Sequence, residues 1–141
     1  TFQKNAADYA RRLRAIKAAT AAKLVDAKVN RVVTVHDGYG YLMQEFGIEI
    51  VGVVEPAHGL VPSAKELGAM VDLLKKENVA IVFSEETFPE PLLKVLRDEG
   101  HAHVYVITHI ASGTYTADKF EIEMQRNADA LVKALVTDPK S

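Results

Sequence analysis

The stretch Val32-Val33-Thr34-Val35-His36-Asp37-Gly38 decides how the chain is read. Four β-branched residues in a row, none charged, are the pattern of a strand covered on both faces, and His36-Asp37-Gly38 closes it with a polar turn. A strand of that kind needs helices above and below it. The flanking sequence supplies them.

Upstream, residues 2 to 28 place Phe2, Tyr9, Leu13, Ile16 and Leu24 on one face of an Ala-rich amphipathic helix. Downstream, residues 39 to 46 read as a short helix stopped by Gly47, and residues 48 to 54 as a second apolar strand ended by Glu55-Pro56. Ser63-Ala64-Lys65-Glu66 is a capping box, followed by Leu67, Met70, Val71 and Leu74 at helical spacing. Residues 79 to 83 form a third strand and 89 to 99 a helix, with Pro91 in its first turn and Gly100 at its end. Residues 103 to 108 form a fourth strand. A last helix, after a loop from His109 to Tyr115, carries Phe120, Met124, Ala128, Leu131 and Leu135 inward.

Strands alternating with helices predict an α/β fold: a doubly wound, four-stranded parallel sheet with helices on both faces. The composition agrees with one domain holding its own core, since 48% of the 141 residues are hydrophobic and 26% charged. A net charge of -2, without any run of five like charges, offers nothing built to grip nucleic acid. The longest apolar runs fall far short of the ~20 residues that span a bilayer, so no membrane span is expected. With no Cys, disulfides, thiol nucleophiles and thiolate zinc sites are excluded. Thr1 stands where an initiator Met would, so the sequence reads as a mature form or a fragment.

Sheets of this class bind ligands beyond the carboxyl ends of their strands. Those ends carry His36, then Glu55 and His58, then Glu85 and Glu86, then His109. Two His and a carboxylate at one rim suit Zn²⁺ or another divalent transition metal. Each residue alone also fits a blander role: a packed or loop histidine, a carboxylate on a helix N-terminus, or a solvated charge. His101 and His103 fall at the other end of strand four and read as surface residues. Tyr39, Tyr41 and Phe46 read as core and crevice wall, and Gly38-Tyr39-Gly40 lacks the third glycine of a dinucleotide turn. No nucleophile elbow and no phosphate loop occurs in the sequence.

The chain resembles the C-terminal lobe of the zinc/manganese substrate-binding proteins of bacterial ABC transporters. The resemblance runs over nearly the whole chain. It is carried by Gln3-Lys-Asn-Ala-Ala-Asp-Tyr9, Val35-His-Asp-Gly-Tyr-Gly-Tyr41, Pro62-Ser-Ala-Lys-Glu66 and Phe83-Ser-Glu-Glu-Thr-Phe-Pro89.

The resemblance implies residues 1–28 as the end of the helix connecting two lobes, and 29–141 as a metal-binding α/β lobe. His36 then takes the place of the lobe's first metal ligand, and its being His favours Zn²⁺ over Mn²⁺. His109 stands where the family commonly has an Asp and is a competent ligand there. Glu85 matches a recurrent family Glu that orients a ligand by hydrogen bonding; His58 has no firm counterpart in the family and is a candidate additional donor. The function implied is not enzymatic: extracytoplasmic capture of the ion, periplasmic or at a membrane anchor, for delivery to an ABC permease. The partners implied are the N-terminal lobe, the permease and the metal ion. The rival readings are a small metal-dependent hydrolase, with Glu85 or Glu86 as general base, and a flavodoxin-like interaction module.

Overall fold

The computed structural model describes residues 1–55 and 61–137, apart from the Glu55 side chain. In chain order the elements are α1 (Phe2–Leu24), β1 (Arg31–His36), a 3-10 turn (Asp37–Tyr39), α2 (Gly40–Glu45), β2 (Glu49–Glu55), α3 (Ala64–Glu77), β3 (Ile81–Ser84), α4 (Glu90–Asp98), β4 (His103–Val106) and α5 (Lys119–Val132), which runs into a π turn (Lys133–Thr137). The strands pair in parallel in the order β2-β1-β3-β4. The α/β, four-stranded parallel architecture is the one expected.

The period of two along a strand sends successive side chains to opposite faces. Val33, Val35 and Val82 enter one core with Leu67, Val71 and Leu74 of α3 and Leu93 and Leu96 of α4. Val32, Ile81 and Phe83 enter the other with Met43 of α2, Leu131 of α5, and Leu135 of the π turn. Val32, Val33, Val35, Val82 and Phe83 are fully buried, so β1 and β3 are the central strands that the β-branched run announced.

Ends of elements move by a few residues, each for a hydrogen-bonding reason. Ile48 and Val79 were expected to start strands, but Ile48 N–H donates to the Met43 carbonyl and Val79 N–H to the Leu74 carbonyl, which makes both part of the preceding helix exit. Helix α1 stops at Leu24, short of the expected Lys28, because Ala27 N–H turns back to Leu24 and Lys28 N–H reaches the Leu135 carbonyl. The Ser63–Glu66 capping box is formed in both directions: Ser63 N–H donates to Glu66 Oε2 at 2.8 Å and Glu66 N–H to Ser63 Oγ at 3.3 Å. Gly47, at φ +68°, ends α2 in the left-handed region, where a side chain would be strained.

Three aromatic residues differ from expectation. Phe2 is exposed at the first turn of α1, and Tyr41 is 90% exposed rather than part of a crevice wall. Phe120 is half-exposed and lies against Tyr9 of α1, with ring centroids 6.4 Å apart, so it joins two helices instead of filling the sheet core.

The strand order reverses direction at β1. The chain goes from β1 out to β2, then returns across β1 to β3. Loops leaving β1 and β3 therefore diverge to opposite sides and leave a crevice between their carboxyl ends, the place where such sheets hold ligands.

Candidate metal-binding site

His36 is the last residue of β1 and Glu85 follows the last residue of β3, so the two stand on either side of that divergence. Buried Thr34 donates its hydroxyl to the His36 carbonyl at 2.7 Å, which fixes the strand end. The His36 ring meets Phe88 edge-on at a centroid distance of 6.3 Å. From the loop after β4, His109 reaches back over the same rim.

Glu85 is the centre of the cluster. Its Oε1 lies 2.8 Å from His109 Nε2 and accepts the Tyr39 hydroxyl at 2.6 Å, while Oε2 lies 3.5 Å from His36 Nε2. The side chains of His36 and Glu85 are 14% and 16% exposed and that of His109 is 29% exposed, so solvent screens these contacts only in part. Burial first, then the hydrogen bond to Glu85 and its charge, raise the Tyr39 phenol above its ordinary value and keep it a donor.

The imidazole of His109 is packed on both sides. Tyr39 stacks on it, with centroids 4.1 Å apart and planes 12° from parallel. Against Gly38 the approach is so close that a Cβ there would stand 2.4 Å from His109 Cε1. The His36 and His109 ring centroids are 5.9 Å apart.

The structure thus brings together His36, Glu85 and His109. His58 lies outside the described residues, as does the Glu55 side chain. Glu86 is exposed and pairs with Arg126 at 3.4 Å. His101 is exposed and His103 half-buried at the opposite end of β4. Beside Glu85 a crevice of about 430 Å³ opens, with Glu86, Thr108, Ile110, Glu123 and Arg126 among its walls. Among the described residues no three or more His, Cys, Asp or Glu side chains are disposed as a ready metal site.

Two residues of the site escaped the sequence reading. Tyr39 is buried in the core as its sequence reading expects, but its hydroxyl's bond to Glu85 is not visible in the sequence. Asn127 was not singled out at all, although a polar residue between Met124 and Leu131, on the inward stripe of α5, is a visible anomaly.

Comparison with known proteins gives this geometry its context. The family model described as "ZnuA: Zinc-uptake complex component A periplasmic" matches residues 1–134. The zinc-binding lipoprotein AdcA of Streptococcus pneumoniae is 30% identical over 135 residues, 93% of this chain and 27% of that protein. The substrate-binding protein FpvC of Pseudomonas aeruginosa, solved in complex with Mn²⁺, is 43% identical with a TM-score of 0.85, over 94% of this chain and 50% of that one. FpvC solved with Ni²⁺ is 41% identical with a TM-score of 0.88, over 98% and 52%. The chain therefore spans about half the length of these solved structures and about a quarter of AdcA. The family and these neighbours are binding proteins rather than enzymes, and neither the hydrolase nor the interaction-module reading is favoured. No helix among the described residues is long and apolar enough to cross a membrane. The chain belongs to the ZnuA family of periplasmic zinc-uptake components.

Proposed function

We propose that this chain is the C-terminal lobe of a two-lobed solute-binding protein that captures a divalent transition metal outside the cytoplasm, zinc ahead of manganese, and hands it to an ABC permease. In this reading residues 1–28 are the end of the connecting helix and 29–141 the lobe. The cargo ligands are the neutral imidazoles of His36 and His109, with Glu85 orienting them; His58 stays a candidate donor.

The observation that carries the proposal is the convergence of His36, Glu85 and His109 from three separate strand ends at the point where the sheet order reverses. The His36 and His109 ring centroids stand 5.9 Å apart, and Glu85 touches both imidazoles through its two oxygens, as a residue that orients them would. Entry of the ion at His109 replaces the His109–Glu85 contact. Two imidazoles are half of a four-coordinate set, so the other lobe supplies the remainder and the isolated lobe holds metal weakly.

Zinc is favoured because imidazole suits it and because it stands above manganese in the affinity order of divalent ions. The zinc-uptake family and the zinc-binding AdcA point the same way, and FpvC, solved with Mn²⁺ and Ni²⁺, indicates that a related cleft admits other ions. The family description as periplasmic and the AdcA name as a lipoprotein support an extracytoplasmic setting.

Calorimetry with Zn²⁺ and Mn²⁺ on the full-length protein and on its His36→Ala and His109→Ala variants tests the proposal. Each substitution weakens binding of both ions, and zinc binds more tightly than manganese to the unmodified protein. Unchanged affinity in both variants refutes the ligand assignment.

A further inference from the structure

The loop that presents His109 is fastened to α5 by one side chain. Asn127 is 2% exposed, and its amide is used at both ends: Oδ1 accepts Thr108 N–H at 2.9 Å and Nδ2 donates to the Thr108 carbonyl at 2.8 Å. Thr108 lies just beyond β4, where the ladder to β3 ends with Ile107 N–H on the Ser84 carbonyl at 2.8 Å. Past that point no strand among the described residues pairs with Thr108, and Asn127 takes the role of one by answering the peptide's donor and acceptor together.

The other side of His109 is fixed as well. Thr108 Oγ1 accepts Ile110 N–H at 3.0 Å, and Ile110 sits at φ +63°, a left-handed conformation that a β-branched residue adopts only where its surroundings impose it. His109 is thus a single residue between a clamped peptide and a forced one. The direction of its Cα–Cβ bond is set by that backbone, and the imidazole lies over Gly38 toward Glu85.

We infer that Asn127 is a positioning residue for metal capture: through Thr108 it sets the loop so that the His109 imidazole is presented at the site before the ion arrives. The inference rests on the reading of His109 as a metal ligand. The Asn127 amide bonds to the Thr108 backbone, so its effect on His109 passes through the peptide between them. A ligand held in its bound position gives up little freedom on binding, and supporting residues of this kind typically change metal affinity by about 10–100-fold.

The test is a double-mutant cycle read by zinc competition against a fluorescent chelator, on the full-length protein, with melting temperature measured alongside. The variants are Asn127→Asp, which keeps the acceptor for Thr108 N–H and loses the donor to its carbonyl, His109→Ala, and the two combined. We expect Asn127→Asp to weaken zinc binding by about tenfold, and to change nothing further once His109 is absent. Should Asn127→Asp fail to fold, Asn127→Ser, whose short side chain cannot answer both the Thr108 N–H and its carbonyl, is read in the same cycle with the same expectation.

A merely structural role lowers the melting temperature while affinity stays at the wild-type value, or weakens binding equally with and without His109; either result overturns the inference. Wild-type affinity in His109→Ala overturns the ligand reading beneath it. Weakened affinity in His109→Ala, with full affinity in the Asn127 variant, overturns the positioning role alone.

Discussion

The imidazole of His109 lies flat on the phenol ring of Tyr39, and the Tyr39 hydroxyl donates to the same Glu85 oxygen that His109 Nε2 approaches. One aromatic residue therefore supports a candidate ligand through its face and the carboxylate beside it through its edge. The two rings and Glu85 act as one unit, and removing any part loosens the others.

Gly38 is the least conspicuous part of that unit and the easiest to disturb. In Gly38→Ala the new methyl group, 2.4 Å from where His109 Cε1 now stands, displaces the ring from Tyr39 and Glu85. Metal affinity falls by about tenfold or more while the fold is kept, and the upfield ring-current shift that Tyr39 imposes on His109 is lost in the proton NMR spectrum. Retention of both shift and affinity would mean that the loop absorbs the methyl without moving the imidazole.

Tyr39→Phe deletes the donor to Glu85 and keeps the stacking face. Because the folded phenol is raised, the stability from this bond is fully present below the unfolded value of ~10 and declines as pH rises through the folded one. An alkaline difference titration of wild type against Tyr39→Phe should show no ionisation in the ordinary phenol range before unfolding. An ionisation near ~10 contradicts the hydrogen bond.

The capping box gives an acid-side prediction of opposite sign. The Ser63 backbone N–H, then the Ser63 hydroxyl, hold the Glu66 carboxyl below its usual value. The stability it lends α3 is present above the unfolded carboxylate value of ~4.3 and is lost as pH falls through the folded one. Urea unfolding of wild type and Glu66→Ala should differ at neutral pH and draw together in acid; a constant difference would show that the charge is not involved.

Leu131 tests the core under the site. It is fully buried with Ile81, Phe83, Met43 and Leu135 on the α5 side of the sheet. Leu131→Ala should cost about 2–5 kcal/mol in urea unfolding, and a loss well under ~1 kcal/mol would mean that α5 is not packed as described.

The architecture was legible because β1 and β3 are buried on both faces, which makes such strands near-continuous apolar runs; Val32, Val33 and Val35 could be read without knowing their partners. Capping chemistry made α3 equally plain. What could not be read was set by contacts distant in sequence. The β4 end is decided by Asn127, nineteen residues on. The α1 end is decided by Leu135 across the fold. Tyr41 and Tyr39 look alike in sequence, yet the turn at residues 37–39 sends one into solvent and the other under His109.

The rim cluster was legible in part. Strand ends in a parallel sheet lie on one edge, so polar residues after β1, β3 and β4 had to be neighbours. Which of them face one another depends on loop shape, and that is why Glu86 turns toward Arg126 while Glu85 turns inward.

The most direct test is a crystal structure of the full-length protein with bound zinc, its ion located by anomalous scattering. The account predicts an imidazole nitrogen of His36 and one of His109 on the same ion at ~2.0–2.1 Å, with Glu85 beside them. An ion in the cleft that engages neither imidazole would contradict it.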